Sequence, residues 1–158
     1  MIRLKRNEIY DDVTFVFEVG PNADVITPFL DCVARRLGQD RFPLASVSRD
    51  EIQVGGNWLV GKRKSIGVVA QSKQFASQRT VFVCNQYGAY VVFGAYFATE
   101  SAWFTANASD KIAEIKRHIA DFDAVLTFEA FHAVMRLVLD QVIYLDLGFK
   151  PLRLGSNI

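Results

Sequence analysis

A chain of 158 residues and 17.8 kDa is sized for one domain spanning 1–158, large enough to bury about two-thirds of the surface its unfolded chain exposes. Its 18 basic and 17 acidic side chains nearly cancel, which argues against a general pull toward nucleic acid or a charged membrane surface. With 51% apolar residues, thirteen of them Phe counting the aromatics alone, and two cysteines, too few for a disulfide framework, the chain reads as a large-cored cytoplasmic domain with reduced thiols.

The N-terminal MIRLKRNEIYDD is basic, but no apolar run long enough for an export signal follows it. Val13 to Val19 alternates: Val13, Phe15, Phe17 and Val19 face one way, Thr14, Val16 and Glu18 the other. That pattern predicts a strand, stopped by Gly20-Pro21-Asn22. A helix follows within Ala23 to Leu37. Thr27 is placed to cap it, Pro28 suits its first turn, and Gly38 ends it beside Arg35 and Arg36. Phe29, Leu30, Val33 and Leu37 form its core stripe.

From Arg41 to Phe97 the period switches to two. Strands are expected near Leu44–Ser48, Glu51–Gly55, Asn57–Lys62, Ser65–Gln71, Thr80–Asn85 and Ala89–Ala98. Short turns and the lack of crossover helices make this an antiparallel meander. The last two strands are apolar on both faces, with Val81, Phe82 and Val83 followed by Tyr90, Val91, Val92, Phe93, Tyr96 and Phe97. One chain supplies helix enough to cover only one face, so a homodimer through strands 80–98 is expected.

After a connection holding Trp103 and Phe104, the spacing predicts a helix over Asn107–Phe122, with Ile112, Ile115, Ile119 and Phe122 as its stripe and Ser109 or Asn107 as its cap. The last helix, Leu126–Leu145, has fourteen apolar residues of twenty. Its polar residues Glu129, His132, Arg136 and Asp140 fall within roughly 80° of one another at about 100° per residue. So apolar a helix must be buried on several sides, and four charged groups exclude a membrane span. The expected fold is α+β: a β-meander of five to seven antiparallel strands with an N-terminal helix and two C-terminal helices packed on it, the last helix central.

Chemistry is less legible. Glu114 and His118 on one helix and Glu129 and His132 on the next form the one cluster with metal-ligand character. Glu129-Ala-Phe-His132 puts a carboxylate and an imidazole on one helical face, a spacing used by zinc and iron sites. The bland alternative places all four on solvated faces. Cys84 has no adjacent base and reads as a small core hydrophobe, so no catalytic residue is assigned. Lys62-Arg63-Lys64 at a hairpin tip lacks interleaved aromatics, and nucleic acid is not an expected partner. The aromatics Trp58, Tyr87, Tyr90, Trp103 and Phe104 are the candidate binding residues, because rings in turns and connections favour contact surfaces and pocket mouths.

The sequence therefore points first to a non-catalytic binding or interaction domain, holding an apolar small molecule or protein segment between sheet and helices, with no cofactor. A small metal-dependent or acid–base enzyme using the Glu/His cluster is the rival reading. A protein inhibitor of the immunity type is the third.

Overall fold

The computed structural model describes residues 1–39, 42–54, 65–75, 77–100, 110–119 and 121–150. Six strands form one sheet: β1 (Ile2–Leu4), β2 (Ile9–Glu18), β3 (Leu44–Val54), β4 (Ser65–Ser72), β5 (Arg79–Tyr87) and β6 (Tyr90–Ala98), in the order β1-β3-β4-β5-β6-β2. The neighbours β3/β4, β4/β5, β5/β6 and β6/β2 are antiparallel, as expected from the short turns. Tyr87 and Tyr90 face each other across a two-residue turn in which Gly88 takes φ +60°, a conformation glycine adopts without a Cβ penalty.

Three helices accompany the sheet. They are α1 (Ile26–Leu37), α2 (Lys111–His118) and α3 (Phe122–Asp140), the last running on through a π-helical turn at Gln141–Asp146. The larger core lies between helices and sheet. Phe29, Leu30, Val33 and Leu37 of α1 and Phe128, Phe131, Met135, Val138 and Leu139 of α3 meet Val68, Phe82, Val91, Phe93 and Phe97 of the sheet. The fold class is thus α+β, with a mostly antiparallel sheet and a C-terminal helix lying on it. Among the described residues no helix is long and apolar enough to cross a membrane.

The sheet is curled, and chain length alone requires it. β1 and β2 are the two edges, five strand spacings apart, or about 24 Å if the sheet were flat. Leu4 and Ile9 are joined by residues whose fully extended reach is about 18 Å, and three of those residues, Arg6–Glu8, are wound into a 3₁₀ turn. The edges must therefore approach one another. On the face opposite the helices, Leu4, Ile52, Val69, Val81, Val83 and Ala98 form a second buried cluster, with Ile2, Ile9 and Tyr96 packed against it. All six strands contribute to it.

That cluster changes the reading of strands 80–98. Val91, Phe93 and Phe97 are buried under the helices, while Val81, Val83 and Ala98 are buried on the other face. The cover sought from a second subunit at this surface is supplied inside one chain. Of the large apolar side chains on β5 and β6, Tyr87 and Tyr90 stay exposed, at the hairpin-tip end beside the exposed Val16 of β2.

Several boundaries differ from the expectations. β1 was not expected; it pairs parallel with β3, Ile2 opposite Ile52. The two strands expected at 44–55 are one, because Ser48-Arg49-Asp50 stays in register with Val69-Val68-Gly67. Val25, not Thr27, stands at the N-cap of α1, and no side chain caps it. The cap of α2 is Asp110, which accepts from Ala113 N at 3.0 Å. Phe122 belongs to α3 rather than to the preceding helix, because Asp121 caps there, accepting from Asp123 N at 3.0 Å. The strand expected at Asn57–Lys62 and the basic tip Lys62–Lys64 lie outside the described residues.

Candidate functional site

Where α1 ends, β3 begins and α3 passes over both, side chains fail to fill the space. The result is a partly open cavity of about 190 Å³. Leu37, Phe42, Leu44, Met135 and Val138 make its walls, Val134 and Leu137 its outer edge, and Arg36 and Gln141 its polar end. Met135 is fully buried, while Leu137 stands half in solvent, so the cavity runs from core to surface.

The polar end is built by the π-helical turn. In an α-helix, residues five apart lie about 140° apart around the axis. The wider π turn, closed by i→i+5 bonds such as Leu147 N to Val142 O at 2.9 Å, brings Gln141 and Asp146 to one side. Both then grip Arg36 of α1. Nε and Nη2 donate to the two Asp146 oxygens at 2.6 and 2.7 Å, and Nη1 donates to Gln141 Oε1 at 3.1 Å. These bonds hold the Asp146 carboxyl below the usual carboxylate range and raise the Arg36 guanidinium. The bidentate carboxylate fills the guanidinium fork of Arg36, the cation among the described lining residues, while Arg35 stands 3.6 Å from the same carboxylate outside the lining. Such a wall suits an uncharged occupant.

The expected metal ligands do not come together. His118 is exposed on α2, and Glu129 is taken by Lys116, whose Nζ donates to Oε1. His132 Nε2 lies 2.7 Å from Asp11 Oδ2 on β2, and Arg136 Nη1 donates to the same oxygen at 3.1 Å. Among the described residues no three His, Cys, Asp or Glu side chains are placed to hold a metal ion. Instead, Glu129, His132 and Arg136 fasten α3 to α2 and β2. The ring of His132 also stands edge-on to Tyr10 and Phe97, with centroids 5.4 and 4.6 Å away. Beneath it, buried Gln78 donates through Nε2 to Tyr10 Oη at 3.1 Å and to the Phe128 carbonyl at 3.0 Å.

This fastening carries a pH dependence. Burial lowers the His132 pKa below its ordinary 6.5; Asp11 opposes the shift, and Arg136 on the same carboxylate weakens that opposition. The folded state then binds the proton less readily than the unfolded chain. The contribution is intact above about pH 6.5 and is lost as pH falls through the lower folded value. Thermal unfolding between pH 7.5 and about 5 should show Tm falling with acid. The His132→Gln variant should have a flatter profile over that window, and an equal slope in the variant would discard the assignment.

Of the expected binding aromatics, Tyr87 and Tyr90 are exposed at the β5–β6 turn, the opposite end of the strands from Leu44. Trp58, Trp103 and Phe104 lie outside the described residues. Cys84 is buried, and desolvation first, with the charge of Asp24 second, pushes its thiol up to about 12. That environment disfavours the thiolate a nucleophile needs.

Sequence reasoning missed the cavity. Arg36 reads in the sequence as a cation suited to a helix C-terminus, and Gln141 and Asp146 carry no assignment there. One signal was present: Asp146 sits between Leu145 and Leu147 in an apolar run, and a carboxylate there needs a partner. No protein-family model, curated protein or solved structure matches the chain.

Proposed function

We propose that this is a non-catalytic binding domain that holds an uncharged apolar group in the cleft between α1, the start of β3 and α3. The observation that carries the reading is the cavity itself, apolar-walled and open at the surface, with Arg36, the cation among its described lining residues, already paired with Asp146. Its size sets the scale of the ligand. Sites for drug-sized molecules and cofactors run to about 300–1,000 Å³, whereas an apolar cavity of about 150 Å³ accepts benzene. At about 190 Å³ the cleft suits one aromatic ring, an indole, or a single large side chain of a protein segment. Two free cysteines, one of them buried, fit the reducing cytoplasm in which we place the domain.

The chain has two methionines, which makes the test direct. Met135 lines the cleft and Met1 is half exposed elsewhere, so ε-methyl NMR gives one reporter and one control. Titration with indole should move the Met135 signal saturably and leave Met1 in place, and hexanoate should bind more weakly because its carboxylate meets a neutralised arginine. In Val134→Phe, which fills the mouth of the cleft, the indole response should vanish. A Met135 signal that stays fixed at millimolar indole, or moves as much in the filled variant, would sink the reading.

A further inference from the structure

The helix α3 is apolar on two opposite sides. One side is the core face already described. On the other, Phe122, Leu126, Ala130, Ala133 and Leu137 fall within about 80° of one another, and all five are exposed, Phe122 at 73%, Leu126 at 48% and Leu137 at 53%. Scattered apolar residues on a surface need no explanation, but an unbroken stripe along about four turns of one helix does.

Four of the five residues are symmetric in a way that selects a partner; Phe122, opposite Gln141 in the same arrangement, lies beyond them. Leu126 and Leu137 share a midpoint between residues 131 and 132, and Ala130 and Ala133 share the same one. An antiparallel copy of the helix, related by a two-fold axis at that midpoint, sets each leucine against the partner's other leucine and each alanine against the partner's other alanine. Two-fold contacts require such self-complementarity, since residue i must meet j while j meets i. Alanines at the centre let the helices approach closely, and leucines close the two ends. The charges agree in sign. Glu129 and Arg136 flank the same edge of the stripe on opposite sides of the axis, and the level of each differs from that of its opposite in the partner by two residues, or about 3 Å. Their side chains keep about half their exposure, 44% and 51%, despite the contacts with Lys116 and Asp11.

We infer that the outer face of α3 is a homodimer interface, in which a second copy of this chain packs antiparallel along Leu126, Ala130, Ala133 and Leu137. The surface is not the one expected at strands 80–98; it meets the cleft at Leu137, which stands at the cleft's outer edge, but the inference does not depend on what the cleft binds. A near-neutral chain carries little long-range repulsion against such pairing.

Light scattering coupled to size exclusion, at micromolar concentration, reads the outcome. The wild type should elute at twice 17.8 kDa. Ala133→Glu and, separately, Leu126→Lys should each run at the single-chain mass with an unchanged circular dichroism spectrum, since both positions are exposed in the isolated chain. Both variants leave the cleft untouched, so indole binding at Met135 should survive in them. A wild-type monomer overturns the inference, as do variants that remain dimeric. Variants that fail to fold overturn it too, because the stripe would then be holding the single chain together.

Discussion

Phe131→Ala is expected to cost about 3–5 kcal/mol of folding stability, by the ordinary penalty for truncating a large aromatic in a closed core. Phe131 is fully buried on the inner side of α3 and stands edge-on to Phe42, with ring centroids 5.8 Å apart. Truncation removes the transfer energy of the ring and leaves a hole that helices tied to the sheet on several sides cannot collapse into. The site sits next to the natural cleft, so the variant would merge two voids rather than create an isolated one. A loss this size approaches the whole stability of a marginal domain. Leu137→Ala, only six residues on but about 120° around the same helix and half exposed, should change monomer stability by no more than about 1 kcal/mol. Urea unfolding of both variants, at concentrations low enough to keep single chains, checks the pair. Equal losses would mean that α3 is rotated from the orientation described.

The contrast between those two residues also shows what the sequence could and could not disclose. The core stripe of α1, Phe29, Leu30, Val33 and Leu37, is buried residue for residue, because one helical face was apolar and the other was not. The alternation of β2 survives for the same reason, with Val13, Phe15 and Phe17 inward and Thr14, Val16 and Glu18 outward. In α3 the logic fails. Periodicity shows two apolar arcs separated by the polar edge, and nothing local says which arc meets the core. The expectation that so apolar a helix is buried on several sides is met on one side only in the single chain.

Non-local features were out of reach altogether. β1 is three residues long, and it exists because the curled sheet brings the N-terminus beside β3. The cleft is space left between three elements, and its polar end depends on a helix changing from α to π at Gln141, a change without a dedicated residue pattern. The Glu/His cluster was legible as a pattern, but not the partners its members take. Its spacing puts Glu129 and His132 on one face, but that face meets Lys116 and Asp11, two residues that sequence spacing could not bring there.

Gly67→Ala, the smallest possible change in side chain, is expected to destabilise the sheet by about 1–3 kcal/mol, the usual range for forced overpacking. The glycine is in β4, opposite Asp50 of β3 and Val83 of β5. A Cβ there would come within 2.7 Å of Ile52 Cγ1 and 2.8 Å of the Phe82 carbonyl oxygen. The isoleucine is buried in the second core cluster and has little room to turn away. The carbonyl belongs to the backbone of the neighbouring strand and can retreat only by moving that strand. Ala70, on the same strand and facing the helices, shows that β4 tolerates a Cβ where the neighbours allow one. The restriction at Gly67 therefore comes from the curl, which crowds the face on which Leu4, Ile52 and Val83 meet. Two readouts follow. Tm should drop by several degrees, since about 1 kcal/mol shifts a domain of this size by roughly 2–4 °C or slightly more. Gly20→Ala provides the comparison: that glycine also lacks a Cβ but has nothing within 4 Å, and its cost is confined to the positive φ of +90°. In the double variant Gly67→Ala, Ile52→Ala the two losses should be less than additive, because the second change removes the Cγ1 atom that the new Cβ would meet. If Gly67→Ala alone unfolds at the wild-type temperature, the sheet is flatter at β4 than the β1–β2 connection requires.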